Sequence, residues 1–192
     1  MRNFTDKEII ARVETHAAGF DGWLPGVYSV WVRAKNGPYD RFNDKNFIYV
    51  VDRIGAAPRF IMKRDGTTVA GSYGLKRFFE YNSLGCAVLK ADTFVRGSHA
   101  FGLHKGKPAY RQAKGWPYHR DNDKDNLAEE SGPVYRDIIG ANDHRAGWFS
   151  RWVKNWSTAC LVTAVLKQYL AFLDFMKGLG YPPLNTAILK EF

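Results

Sequence analysis

The residues best suited to chemistry are His144 and Cys160, sixteen positions apart in the chain. A cysteine attacks as a thiolate, and a nearby imidazole is the usual base that takes its proton. Cys160 ends the small-residue segment Ser157-Thr158-Ala159-Cys160, which predicts a turn. Two short strands or turns joined by a loop would bring the thiol to the imidazole, so the pair favours an enzyme. The alternative is a cysteine that serves as a small buried apolar residue beside an unrelated histidine.

The loop between this pair is rich in tryptophan and arginine. Trp148, Trp152 and Trp156 recur at a spacing of four, as in a buried helical stripe. The other interpretation is a cleft wall that contacts a sugar or a peptide, with Arg151 binding a carboxylate. On that interpretation Trp148, Trp156, Asn155 and Arg151 are candidate substrate contacts.

An acidic segment has part of a calcium-binding pattern. Asp121, Asp123 and Asp125 alternate as at the start of a calcium loop. The sixth position, which needs glycine, is Asn126, and the twelfth, which needs glutamate, is Gly132. The sequence therefore favours a solvated surface loop.

His99 and His104 form a second cluster with metal-binding residue types. The aspartate that a zinc peptidase needs after them is absent, and no His-Glu-x-x-His segment occurs. The sequence predicts no metal and no cofactor. His104 is instead a candidate substrate contact on a glycine-rich loop near the active site.

The composition describes a folded, strongly basic protein. The 192 residues are 45% hydrophobic and carry a formal net charge of +9. Such a surface attracts polyanions, and nucleic acid, teichoic acid, anionic lipid and lipopolysaccharide all fit that description. A solvated basic face without a specific partner is the alternative. No nucleic-acid-binding motif is recognisable, so we expect no nucleic-acid partner, and we expect a monomer.

Several sequence features bear on location. Two cysteines are too few for a secreted disulfide scaffold. The segment from Met1 to Phe20 has no apolar core of the kind that a signal peptide needs. No apolar run approaches the ~18 residues of a membrane span. We therefore expect a protein made in the cytoplasm without a signal peptide, which acts elsewhere only after lysis or dedicated export.

The pattern of elements predicts an α+β fold that is mainly β with flanking helices, as a single domain over residues 1–192. A capping box at Thr5-Asp6-Lys7-Glu8 predicts an N-terminal helix within a helical extension, residues 1–22. Apolar positions from Val165 predict a helix that ends at Gly178 to Gly180. Residues 114–132 are expected to form a polar loop, and Asn36-Gly37-Pro38 a turn. The predicted strands are Val27–Val32, Phe47–Val51, Arg59–Lys63, Cys86–Leu89, Asp92–Arg96 and Leu161–Thr163.

The segment around the histidine and the cysteine resembles the active-site signature of the L,D-transpeptidase (YkuD-like) family. That signature is a histidine, a loop of similar length and Ser/Thr-x-Gly-Cys. Asp143-His144-Arg145 with Asn155-Trp156-Ser157 is nearer to a divergent branch common in phage and prophage genomes. The chain departs from the family pattern in three ways: Ala159 replaces glycine, Thr158 replaces a second histidine, and Leu161-Val162 replaces a residue followed by arginine. The last two departures bear on transpeptidation more than on thiol chemistry.

The resemblance implies a YkuD-like β-sandwich with a helix after the catalytic cysteine. Cys160 would attack a carbonyl of a peptidoglycan stem peptide to give a thioester, and His144 would act as base and then as acid. The Arg145 or Ala146 carbonyl would orient the imidazole. Catalytic support would come from the backbone N–H groups of Ala159 and Cys160 and from Ser157 in the turn.

The function implied is a cysteine-dependent peptidase that acts on stem peptides, in a phage or prophage lysin that also meets anionic cell-wall polymer. An L,D-transpeptidase is a close alternative, because water and an amine can resolve the same acyl-enzyme. A third hypothesis is a non-catalytic basic module that binds cell wall or nucleic acid. A fourth is an inactive domain of this fold reused in a virion.

Overall fold

The structure is a computed structural model that describes residues 1–35 and 40–192, so the predicted turn at Asn36-Gly37-Pro38 lies outside the described residues. The helices are α1 (Asp6–His16), α2 (Ser72–Arg77) and α3 (Leu166–Gly178). The strands are β1 (Gly26–Arg33), β2 (Asp44–Val51), β3 (Arg59–Thr67), β4 (Cys86–Leu89), β5 (Thr93–His104), β6 (Lys107–Gln112), β7 (Trp116–Asp121), β8 (Tyr135–Asp137), β9 (Asp143–Arg145), β10 (Leu161–Thr163) and β11 (Leu184–Lys190).

Most of the strands close into a barrel in the order β1-β11-β5-β6-β9-β10-β3-β2. The pairs β1–β11 and β9–β10 are parallel, and the remaining neighbours are antiparallel. Strands β4, β7 and β8 form a separate three-stranded sheet. The mainly β class with flanking helices is therefore confirmed. The predicted sandwich of two packed sheets differs from what is observed, since the larger sheet closes on itself.

Strand β11 is the element that closes the barrel. It inserts between β1 and β5, where Val27 pairs with Leu184 and Phe94 pairs with Ala187. No strand after α3 was predicted from the sequence, and β11 supplies the second pairing partner of both β1 and β5. A closed sheet removes strand edges, which otherwise expose unpaired backbone groups.

Helix α1 begins at a complete capping box. The Thr5 side chain accepts from the Glu8 N–H, and the Glu8 carboxylate accepts from the Thr5 N–H at 2.8 Å. Ile9 and Val13 lie on the buried face and pack in one cluster with barrel residues such as Tyr28. The N-terminal helix therefore belongs to the core of the domain.

Helix α3 follows the candidate cysteine, as predicted. Its buried face consists of Leu166, Tyr169, Phe172 and Met176, at the spacing that a helix packed on a core requires. None of the helices in the described residues is both long and apolar enough to cross a membrane.

Residues 114–132 are not the uniform polar loop that was predicted. They contain β7, in which Trp116 and Tyr118 are buried and pack with Ala87 and Leu89 of β4. The strand was missed because charged residues dominate the segment that follows Tyr118, whereas its two aromatic residues, at alternate positions, share one face.

Candidate active site

The structure places the predicted histidine on one strand and the predicted cysteine directly before the neighbouring strand. His144 lies in β9, and Cys160 immediately precedes β10, whose register pairs Val162 with His144 and Leu161 with Asp143. Alternate residues of a strand share a face, so Cys160, Val162 and His144 lie on one side of this parallel pair. The two residue types that the sequence singled out are thus brought to the same face of adjacent strands.

The His144 imidazole is oriented by the backbone. Its Nδ1 lies 2.9 Å from the carbonyl oxygen of Arg145, which is one of the two carbonyls expected to orient it. Its Nε2 is buried and has no hydrogen-bond partner within residues 1–35 and 40–192. Burial, with a smaller contribution from the neighbouring His104, lowers the pKa of His144 to about 4. The ring is therefore neutral at pH 7.

Cys160 is a free, buried thiol. Its Sγ donates to the carbonyl oxygen of Gly140 at 3.4 Å, and burial raises the pKa of the Cys160 thiol to about 11. The Ser157 hydroxyl donates to the Cys160 carbonyl at 2.9 Å, so it supports the turn before β10 as expected. The thiol at rest is protonated and bonded to the backbone, not to His144.

Two backbone donors next to the thiol are unengaged. In the described parts of the chain, the N–H groups of Ala159 and Cys160 make no hydrogen bond. Both residues are buried, with exposed fractions of 7% and 8%. Free backbone donors beside a nucleophile are the groups that can stabilise an oxyanion.

His104 approaches the pair from another part of the barrel. It ends β5 and pairs with Lys107 across a two-residue turn, in which Lys105 and Gly106 have φ angles of 49° and 74°. Positive φ at both positions is typical of a type I′ hairpin turn. The His104 ring stacks on His144, with centroids 4.5 Å apart and an interplanar angle of 17°. The predicted glycine-rich loop is thus the tip of a hairpin.

A small cavity of about 90 Å³ opens at the two stacked rings. Its wall includes five of the candidate residues: His104, His144, Arg145, Asn155 and Trp156. Cys160 does not line this cavity, and neither His144 nor Cys160 lines the larger cavities elsewhere. We therefore locate the candidate site by its chemistry and not by cavity size.

The tryptophans of the intervening loop are not a core stripe. Trp148, Trp152 and Trp156 are 86%, 44% and 37% exposed. Arg41 lies over the Trp152 ring at 3.4 Å, and Arg151 lines a different cavity. Of the predicted substrate contacts, the structure brings Trp156, Asn155 and His104 to the cavity, whereas Trp148 and Arg151 lie outside it.

A buried ion pair joins β9 to β3, and it was not predicted from the sequence. Both Nη atoms of Arg64 bind the Asp143 carboxylate, at 3.1 and 2.7 Å, and both side chains are fully buried. The Arg64 Nε donates to Asn46, and the Tyr169 hydroxyl donates to the Asp143 carbonyl at 2.8 Å. These bonds tie β9 to β2, β3 and α3 directly before His144. The only hint in the sequence was that Asp143 adjoins the candidate base.

The acidic segment after β7 brings together a set different from the calcium pattern. Carboxylate oxygens of Asp123, Asp125 and Glu129 lie within 4.8 Å of one another, and all three residues are exposed. Glu129 is the ninth position of the segment, whereas the sequence pattern requires glutamate at the twelfth. Exposed carboxylates commonly cluster without a metal, so the solvated loop remains the interpretation.

Comparison with known proteins identifies no relative: no protein-family model, no curated protein and no solved structure matches the chain.

Proposed function

We propose that the protein is a cysteine-dependent peptidase that acts on the stem peptides of peptidoglycan. The observation that carries the proposal is the placement of Cys160 and His144 on one face of adjacent parallel strands. The imidazole is fixed through Nδ1, which leaves Nε2 free to accept a proton. The choice of peptidoglycan rests on the resemblance of this segment to the L,D-transpeptidase (YkuD-like) signature.

The reaction begins with a proton transfer. Substrate binding would displace the thiol from the Gly140 carbonyl, and Nε2 of His144 would take the proton as sulfur attacks the peptide carbonyl. The N–H groups of Ala159 and Cys160 would bind the oxyanion, and each such donor is worth about 3 kcal/mol of barrier. The imidazolium then protonates the leaving amine, which leaves a thioester on Cys160 and a neutral imidazole.

The acceptor of the acyl group decides between two activities. Water attacks the thioester while His144 takes one of its protons and returns it to the departing sulfur of Cys160, which releases a carboxylic acid, restores the thiol and gives a peptidase. An amine from a second stem peptide gives a cross-link, so an L,D-transpeptidase is the alternative with the same catalytic pair. The departures at Thr158 and Leu161-Val162 favour hydrolysis, since they remove groups that the family pattern places beside the cysteine.

A direct test is digestion of purified peptidoglycan, with mass analysis of the released muropeptides. We expect wild type to release products, Cys160→Ala to release none, and Cys86→Ala to behave as wild type. Cys86 is the matched control, because it is the other free, buried cysteine and lies in β4. Equal digestion by Cys160→Ala and wild type would exclude a thiol mechanism.

A second candidate function is a non-catalytic module that binds anionic cell-wall polymer. It is favoured by the exposed aromatic residues Trp148, Phe149 and Trp152, and by Arg41 stacked on Trp152. Aromatic rings with neighbouring cations suit a sugar polymer that carries negative charge. If wild type and Cys160→Ala bind the wall equally and neither releases a product, this candidate is preferred. Either function requires that the protein reach the wall after lysis or by export.

A further inference from the structure

The amide of Asn142 fixes the tautomer of His104. Its Oδ1 accepts a hydrogen bond from the backbone N–H of Gln112 at 3.0 Å, so Nδ2 is the atom that faces the histidine. An amide nitrogen can only donate, so Nδ1 of His104, 3.0 Å away, is the acceptor. The proton of the neutral His104 ring is therefore on Nε2.

His144 has the opposite tautomer. Its Nδ1 lies 2.9 Å from the Arg145 carbonyl, and because a carbonyl only accepts, this nitrogen carries the proton. The Nε2 of His144 is then unprotonated and can accept a proton or a hydrogen bond. Both rings line the same cavity, but Nε2 of His144 is buried, so the group that the stacked pair can offer a ligand there is the Nε2–H donor of His104.

The His104 donor is unused by the protein. Within the described residues, the only hydrogen bond to the His104 ring is the one from Asn142. Burial, with Lys105 and Arg111 nearby, lowers the pKa of His104, so the ring is neutral at pH 7.

Besides the two neutral histidines, the ionisable residues that line the cavity are all basic. Lys105, Lys107 and Arg145 line it, and no carboxylate does. A substrate group that accepts a hydrogen bond and carries negative charge matches such a wall.

We propose that His104 is a specificity-determining residue, whose Nε2–H donates to a carboxylate oxygen of the substrate while Lys105 and Lys107 supply the complementary charge. This inference rests on the proposed function, and it narrows the substrate to stem peptides that carry a free carboxylate near the bond that is cleaved. His144 remains the base for Cys160, so the two imidazoles have separate tasks.

The tautomers can be measured without turnover. In the full-length protein labelled with ¹⁵N-histidine, we expect His104 to carry its proton on Nε2 and His144 on Nδ1 at pH 7. The variants His104→Phe and His144→Phe assign the two signals. A proton on Nδ1 of His104 would overturn the proposal.

The specificity is tested with two stem peptides that differ only in a free or an amidated terminal carboxylate. We expect wild type to prefer the free carboxylate about tenfold in kcat/KM, the effect of one charge-assisted hydrogen bond. His104→Gln, which retains an N–H near the Nε2 position, should keep most of this preference. His104→Asn, whose shorter amide replaces the Nδ1 side, should lose it, and a preference that survives in His104→Asn contradicts the proposal.

The same peptides separate this inference from the proposed function. If wild type cleaves neither peptide, the carboxylate peptide is titrated into Cys160→Ala while the His104 ¹⁵N signals are followed. A shift of the Nε2 signal with the free carboxylate, absent with the amide, supports carboxylate recognition although the peptidase proposal has failed. No shift with either peptide overturns the inference.

Discussion

At the scale of single residues, the candidate nucleophile and its base are both held in their neutral forms. Burial disfavours the charged form of each group, which is the thiolate of Cys160 and the imidazolium of His144. It therefore raises the pKa of Cys160 and lowers the pKa of His144. A reactive cysteine of many enzymes is instead a thiolate at neutral pH. The proposed mechanism therefore requires that a substrate displace the thiol from the Gly140 carbonyl before the proton moves to His144.

The neutral thiol predicts slow alkylation that depends steeply on pH. Because the pKa of Cys160 is raised to about 11, the thiolate fraction grows with pH up to that value. The rate of iodoacetamide labelling should rise about tenfold per pH unit between about pH 7 and about pH 10. Labelling is followed by intact mass in a Cys86→Ala background, with the double variant that also lacks Cys160 as the blank.

The opposite ionisation state would give a different profile. A thiolate–imidazolium pair would label at its maximal rate already at pH 7, with the rate falling only in acid. That result would contradict the neutral resting state derived from the burial of both side chains.

At the scale of elements, the position of β9 depends on the buried pair of Arg64 and Asp143. Removing one member of a buried ion pair leaves the other charge without compensation, which typically costs about 3–5 kcal/mol. We expect Arg64→Met to lower the free energy of unfolding by about that amount, as measured by denaturant unfolding. Arg59→Met is the matched control, because Arg59 pairs with Asp52 at the surface. Their side chains are 59% and 62% exposed, so this pair should contribute about 0–1 kcal/mol. Similar losses in the two variants would show that the buried pair does not anchor β9.

The cap of helix α1 predicts a pH dependence of stability. Hydrogen bonds from the Thr5 backbone and from Arg2 lower the pKa of Glu8 to about 2. A carboxyl whose pKa is lower in the folded state stabilises above its unfolded pKa, about 4.3, and this contribution is lost as the pH falls toward 2. We expect Glu8→Gln to flatten the fall in thermal stability between about pH 4.5 and about pH 2. An unchanged pH profile would mean that the cap does not persist in solution.

Local chemistry made part of this fold predictable. The capping box at Thr5 and Glu8 and the apolar face of α3 are properties of contiguous residues, and both helices lie where the sequence placed them. Strand β11 was not foreseen, because its partners are β1 and β5, far away in the chain. Pairing between distant segments leaves little trace in the composition of either one.

The same distinction applies to the candidate site. The spacing and residue types of His144 and Cys160 predicted that two short strands or turns joined by a loop would bring them together, and β9 and the turn before β10 place both residues on one face. The stacking of His104 on His144 required β6 of the β5–β6 hairpin to pair with β9, and the Arg64 anchor required β3 to lie next to β10 in the same barrel. Neither contact follows from local sequence.

At the scale of the whole molecule, charge and exposed aromatic residues act together. The net charge of +9 gives a long-range attraction to polyanions. Trp148, Phe149 and Trp152 are exposed aromatic residues of the same loop that carries Trp156 to the cavity, and they can make short-range apolar contacts. Attraction by charge weakens with salt, whereas apolar contact does not, so the two contributions can be separated.

Binding of Cys160→Ala to purified cell wall should therefore respond to salt and to aromatic substitution in different ways. We expect the apparent affinity in a sedimentation assay to fall at least about tenfold between about 0.05 M and about 0.5 M NaCl, since screening shortens the range of the charges. Adding Trp148→Ala should weaken binding by a similar factor at each salt concentration, because the lost contact is apolar. Ile54→Ala is the control, since it truncates an exposed apolar side chain between β2 and β3. Binding that is unaffected by salt would exclude charge as the source of wall affinity, and an equal loss in the Ile54 variant would exclude a specific role for the tryptophan.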